Sequence, residues 1–132
     1  MKAEISYKEL EKLIHDKAGK NVRLQYEDSR TVKVSYDIDM FIATKTVDIY
    51  LEVCEVNCSS LKLRYYSFGF AVEKIISVIL NWMDSKLYYK GAGNTVTIYL
   101  DEIKGVDTAL NTLYLKDISF STGGAYLSIQ LK

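Results

Sequence analysis

Apolar and polar residues alternate along much of this chain, and the alternation predicts strands with one buried and one solvated face. Val22, Leu24 and Tyr26 alternate with Arg23, Gln25 and Glu27. Glu27-Asp28-Ser29-Arg30 reads as a turn. A long run follows, with Val32, Val34, Tyr36, Ile38, Met40 and Ile42 set against Lys33, Ser35, Asp37 and Asp39. At roughly 3.3 Å per residue such a strand outruns a small domain, so it must bend or break near Phe41. A third run sets Val47, Ile49, Leu51 and Val53 against Asp48, Tyr50 and Glu52. The parity changes between Cys54 and Val56, which predicts a β-bulge. Leu61, Leu63 and Tyr65 against Lys62 and Arg64 form the fourth run. Short connections make these four an antiparallel meander.

Two segments carry helical periodicity. Ser6 and Glu9 have the spacing of a capping box, flanked by Ile5 and Leu10 as a hydrophobic staple. Tyr7, Leu10, Ile14 and Ala18 then share a face, and Gly19 supplies a left-handed stop. This predicts a helix over 7–18. A second helix is predicted over 70–84. Its polar residues, Glu73, Lys74, Ser77, Asn81 and Asp84, fall in one stripe of roughly 100° of arc. Ala71, Val72, Ile75, Ile76, Val78, Ile79, Leu80, Trp82 and Met83 fill an apolar arc of roughly 200°, about twice the width that rests on one sheet. Such a rod is expected to be covered from two sides.

Beyond it, strands are predicted at Leu87–Lys90 and Thr95–Leu100, joined by Gly91-Ala92-Gly93-Asn94. An irregular or helical piece at Gly105–Asn111 follows. The chain closes in a hairpin, Leu113–Phe120 with Ala125–Leu131, turning at Ser121-Thr122-Gly123-Gly124. The fold class expected is α+β. It is a curled antiparallel sheet of about seven or eight strands packed around one apolar helix, plus an N-terminal helix, in a single domain over 1–132.

Composition narrows the function. The 132 residues carry 17 basic and 17 acidic side chains, for zero net charge. Phosphate neutralisation needs a basic surplus, so nucleic acid is not an expected partner. No apolar run reaches the roughly 20 residues of a transmembrane segment, and Met1-Lys2-Ala3-Glu4-Ile5 lacks a signal-peptide core. A soluble, cytoplasmic protein is expected. Cys54 and Cys58, with His15 as the one histidine, cannot supply a structural metal site, so no metal or cofactor is expected.

Little catalytic chemistry is on offer. Asp37 and Asp39 share a face about 6.6 Å apart by strand rise. Paired carboxylates can exchange protons, but their alternation with large apolar residues marks a solvated face. The tyrosines number 11, and a phenol joins an apolar body to a polar tip, which suits interfaces and clefts. By parity Tyr26, Tyr36 and Tyr65 point inward, Tyr50 and Tyr99 outward, and Tyr65-Tyr66 and Tyr88-Tyr89 place one ring on each face. The function expected is therefore a non-catalytic binding or assembly module, working through the sheet and the helix over 70–84. Its partner would be another protein or a second copy. The residues expected to line the contact are Val72, Ile75, Ile76, Val78, Ile79, Trp82 and Met83 of helix 70–84, together with Tyr36, Met40 and Tyr65.

The alternations at 31–43 and 45–57, the apolar helix at 70–84 and the ending Leu113-Tyr114-Leu115-Lys116-Asp117-Ile118 before a Gly-Gly hairpin together resemble a tubular lipid-binding (TULIP-type) module. The resemblance implies a long curved sheet wrapped on a helix, holding lipid in the apolar seam. Its functional corollary is the second expectation: a carrier of a lipid or other apolar small molecule.

Overall fold

The structure is a computed structural model that describes residues 2–39, 42–67, 76–77, 80–81, 83–103 and 106–132. Among these residues it contains nine strands in two antiparallel sheets. The larger sheet orders β2 (Arg23–Asp28), β3 (Thr31–Asp39), β4 (Thr44–Val56), β5 (Ser60–Tyr66), β7 (Thr95–Tyr99) and β6 (Tyr88–Lys90). The smaller one orders β1 (Lys2–Ser6), β9 (Gly124–Leu131) and β8 (Leu113–Phe120). Helix α1 spans Tyr7–Ala18 and a short α2 spans Val106–Leu110.

The local signals act as expected. The Ser6 hydroxyl accepts from the Glu9 amide at 3.1 Å, while the Glu9 carboxylate accepts from the Ser6 amide, which closes the capping box. Gly19 ends α1 at φ 69°, a left-handed conformation that costs glycine no Cβ clash. The meander β2–β5 forms with the predicted phase. A register shift falls between Val53 and Glu55, where the parity changes. Strand β3 is described as far as Asp39, which pairs with Thr44, and Ile42 and Ala43 are not in a strand. The bend or break expected near Phe41 lies outside the described residues.

One face of the six-stranded sheet holds the core. Val34, Tyr36, Val47, Ile49, Tyr65 and Val96 are buried there, with Ile49 and Tyr65 at 0 % exposure. Leu10 and Ile14 of α1 pack against one part of this face, together with Ile76, Leu80 and Met83. Farther along the same strands, Val53 forms a second cluster with Leu115 and Ile118 of β8, and Val56, Leu61, Leu63, Phe120 and Leu127 pack against it. Burying each large aliphatic side chain contributes about 1.5–3 kcal/mol.

This corrects the expected architecture of a single curled sheet of about seven or eight strands around one helix: the described residues form nine strands in two sheets. The closing hairpin does not join the meander. It pairs instead with β1, the segment before α1. Gly124 permits that pairing: a Cβ there would collide with the Ile5 carbonyl oxygen and lie 2.9 Å from Ser6 Cα. The cover over the large sheet is therefore part helix and part second sheet.

Of the helix predicted over 70–84, Ile76, Ser77 and Leu80 are helical. The Asn81 amide donates to the Ser77 carbonyl at 3.1 Å. Asn81, Met83 and Asp84, also predicted helical, are not, so the helix ends before the predicted residue 84. Val72, Ile75, Val78, Ile79 and Trp82 lie outside the described residues, as does Met40. No helix among the described residues is long and apolar enough to cross a membrane.

Candidate functional site

The pleat that buries Ile49 and Tyr65 must turn Tyr50 and Tyr66 to the opposite face. Tyr50 and Tyr66 are directly paired across β4 and β5. Their rings stack with centroids 5.1 Å apart and planes 9° from parallel. The Arg64 guanidinium lies 5.5 Å from the Tyr66 centroid, and its Nε donates to Glu52 Oε1 at 2.8 Å. Neither tyrosine is fully buried, so the stack is partly open to solvent.

Around it the face is polar. Arg23 pairs with Asp37 at 3.1 Å, and Thr46 donates to the same Asp37 oxygen at 2.7 Å. The Ser35 hydroxyl donates to Asp48. Lys62 and Glu55 are exposed and stand opposite one another in the ladder. Tyr89, on β6, is 62 % exposed, whereas its neighbour Tyr88 packs on the core.

The electrostatics favour neutral phenols at Tyr50 and Tyr66 and an ionised Asp37. Burial pushes the Tyr50 phenol up, and Glu27 and Asp48 add to it. Tyr66 shifts the same way through burial first, then through Glu52, Asp28 and Glu27. The hydrogen bond from Arg23 holds the Asp37 carboxyl below its ordinary value, with Thr46 assisting. A carboxyl so held gives up its proton more readily, the opposite of what a general acid at neutral pH requires.

The predicted site residues divide into two groups. Tyr36, Tyr65 and Ile76 are buried in the core, and Met83 packs against it. The remaining six, Val72, Ile75, Val78, Ile79, Trp82 and Met40, fall outside the described residues. The structure thus brings Tyr36, Tyr65, Ile76 and Met83 together as interior packing. Tyr26, expected to point inward, is 42 % exposed on the edge strand β2, beside a register shift. Tyr66, read from sequence only as one ring of a two-faced pair, emerges with Tyr50 as the centre of the solvent-side aromatic cluster.

A second feature lies on the smaller sheet. A groove of about 430 Å³ runs over β1, β9 and β8, lined by Lys2, Asp117, Ser119, Tyr126, Leu127 and Ser128. Arg30 reaches its edge, donating to Asp117 Oδ1 at 2.7 Å and to the Ile118 carbonyl at 2.8 Å. The described residues contain no group of three or more His, Cys, Asp or Glu side chains placed to hold a metal ion.

No family model, curated protein or solved structure matches the chain.

Proposed function

We propose that this chain is a non-catalytic binding module whose docking surface is the solvent face of the six-stranded sheet, centred on Tyr50 and Tyr66. The observation that supports the reading is their stack, 5.1 Å between centroids on the face opposite the core. Two tyrosines held rigid by cross-strand stacking have little rotamer freedom left to lose, which lowers the entropic cost of association. Stacked aromatics flanked by an Arg–carboxylate pair match the composition of protein interfaces, where Tyr and Arg are enriched and contacts centre on rigid anchors. The exposed charges of both signs around the stack, Lys62 and Glu55 among them, supply a polar rim. The partner is accordingly a protein surface.

A photo-reactive side chain placed at Lys62 or Thr97, on the face of Tyr66, tests this in cells. The expected result is a discrete cross-linked protein that is absent when the same probe replaces His15 on α1. Equal cross-linking from all three positions, or none from Lys62 and Thr97, contradicts the reading.

A further inference from the structure

Each sheet has two edges, and the chain treats them unequally. The β8 edge abuts turns of the larger sheet: Phe120 N–H donates to the Ser29 carbonyl at 2.9 Å, and Arg30 takes the Ile118 carbonyl. The β2 edge meets α1, whose Glu11 carboxylate accepts from the Leu24 amide at 2.8 Å. Strand β6 is only three residues long, which itself limits pairing. Strand β1 differs. It has five residues, pairs on one side with β9, and carries no strand on the other side among the described residues.

The direction of its free groups follows from the helix cap. Ser6 N–H donates to the Glu9 carboxylate and not to β9. Backbone amides alternate in direction along a strand. The amides of Glu4 and Lys2 therefore point the same way as that of Ser6, off the free edge. The Lys2 and Glu4 side chains share the solvent face and are exposed, as is Ala3 between them.

We propose that a second copy of the chain pairs antiparallel along this edge, with Ala3 facing Ala3 of the partner subunit. Lys2 then stands opposite Glu4 of the partner subunit, and Glu4 opposite Lys2 of the partner subunit. Each such pair exchanges both N–H···O bonds of an antiparallel ladder and sets opposite charges side by side. The register is self-selecting. Sliding by two residues in either direction puts Lys2 against Lys2 or Glu4 against Glu4, which repel. Sliding by one turns the two solvent faces to opposite sides. The same charges disfavour pairing with an apolar strand. The two three-stranded sheets become one continuous six-stranded sheet. A five-residue edge buries well under the roughly 1,200 Å² of a standard interface, so the association is weak and concentration-dependent.

Sedimentation equilibrium on the full chain, tagged at the C-terminus and measured up to about 1 mM, tests the proposal. The expected mass rises above the 15.1 kDa monomer towards twice that value. Lys2→Glu and Glu4→Lys each weaken the dimer about tenfold, by placing like charges opposite each other at two symmetry-related places. The Lys2→Glu/Glu4→Lys double variant restores wild-type association, because the swapped charges complement one another again. Both single variants keep the wild-type unfolding temperature, since neither side chain is buried. A chain monomeric throughout the concentration range, single variants that dimerise as wild type does, or a double variant no better than the singles would each overturn the proposal. The docking surface centred on Tyr50 stands or falls separately, through the cross-linking result.

Discussion

The Tyr7 phenol donates a 2.5 Å hydrogen bond to the Ser121 carbonyl, tying the first turn of α1 to the β8–β9 turn across 114 residues of sequence. Tyr7 is buried, and burial raises its phenol above the ordinary tyrosine value. The bond therefore links the helix to the smaller sheet from inside. Tyr7→Phe keeps the ring and removes the donor. It is expected to cost about 1 kcal/mol and to lower the unfolding temperature by about 3–5 °C in a thermal melt.

Gly124 lets the β1 backbone approach β9. An added methyl group would meet the Ile5 carbonyl oxygen and the Ser6 Cα, both backbone atoms that cannot swing aside. Gly124→Ala is expected to destabilise the chain by about 2 kcal/mol. Hydrogen exchange should accelerate first in the β1 amides of Ala3 and Ile5, while those of β4 remain protected.

Two exposed ion pairs set the acid limb of stability. Hydrogen bonds from Arg23 and from Arg30 hold Asp37 and Asp117, respectively, below the ordinary aspartate range. A folded-state pKa below the unfolded one means that the unfolded chain binds more protons. The contribution is present above about pH 4 and is lost as pH falls through the depressed values. At the alkaline end the sign is the same as for any acid kept neutral by burial. Tyr36 is raised by desolvation, so its contribution is full below about pH 10 and declines above it. Urea titrations from pH 2 to 6 should show a shallower acid loss in Asp37→Asn and Asp117→Asn than in wild type. Tyr36→Phe should flatten the loss above pH 10.

Much of the fold is legible in the sequence because its signals are local. Ser6, Glu9 and Gly19 delimit α1 through groups a few residues apart. The alternations of the meander name its buried face, Tyr26 on the edge strand excepted. In the closing hairpin a register shift between Leu115 and Asp117 breaks the alternation, and Leu131 is exposed. Strand β1 is not legible, because Lys2-Ala3-Glu4-Ile5-Ser6 has too few apolar positions to show a period. Its partner β9 also lies more than a hundred residues away. Nothing local states that the last hairpin pairs with this segment instead of the meander. Parity separates Tyr65 from Tyr66 correctly, but it does not say which face stays accessible. That depends on what covers the sheet, and Leu115 and Ile118 become part of the cover only through tertiary packing.

Leu80 and Ile76 connect the helical segment to the sheet. They are 5 % and 2 % exposed, and both belong to the cluster around Ile49 and Tyr65. Leu80→Ala is expected to cost about 2–5 kcal/mol by removing buried methyl groups and leaving a cavity. Urea denaturation should show a lower midpoint with an unchanged slope, because the surface exposed on unfolding stays nearly the same.

The inner face of the large sheet packs the core, the proposed docking face lies opposite, and the neighbours Ile49 and Tyr50 separate the two. The most direct measurement determines the unfolding temperature and the affinity for the cross-linked partner in Ile49→Ala and Tyr50→Ser. Ile49→Ala should lose about 2–5 kcal/mol of stability and bind as wild type at a temperature where it is folded. Tyr50→Ser should lose only about 1 kcal/mol of stability and at least about tenfold in affinity. A Tyr50→Ser chain that binds its partner as wild type does would rule out the Tyr50 face as the docking surface.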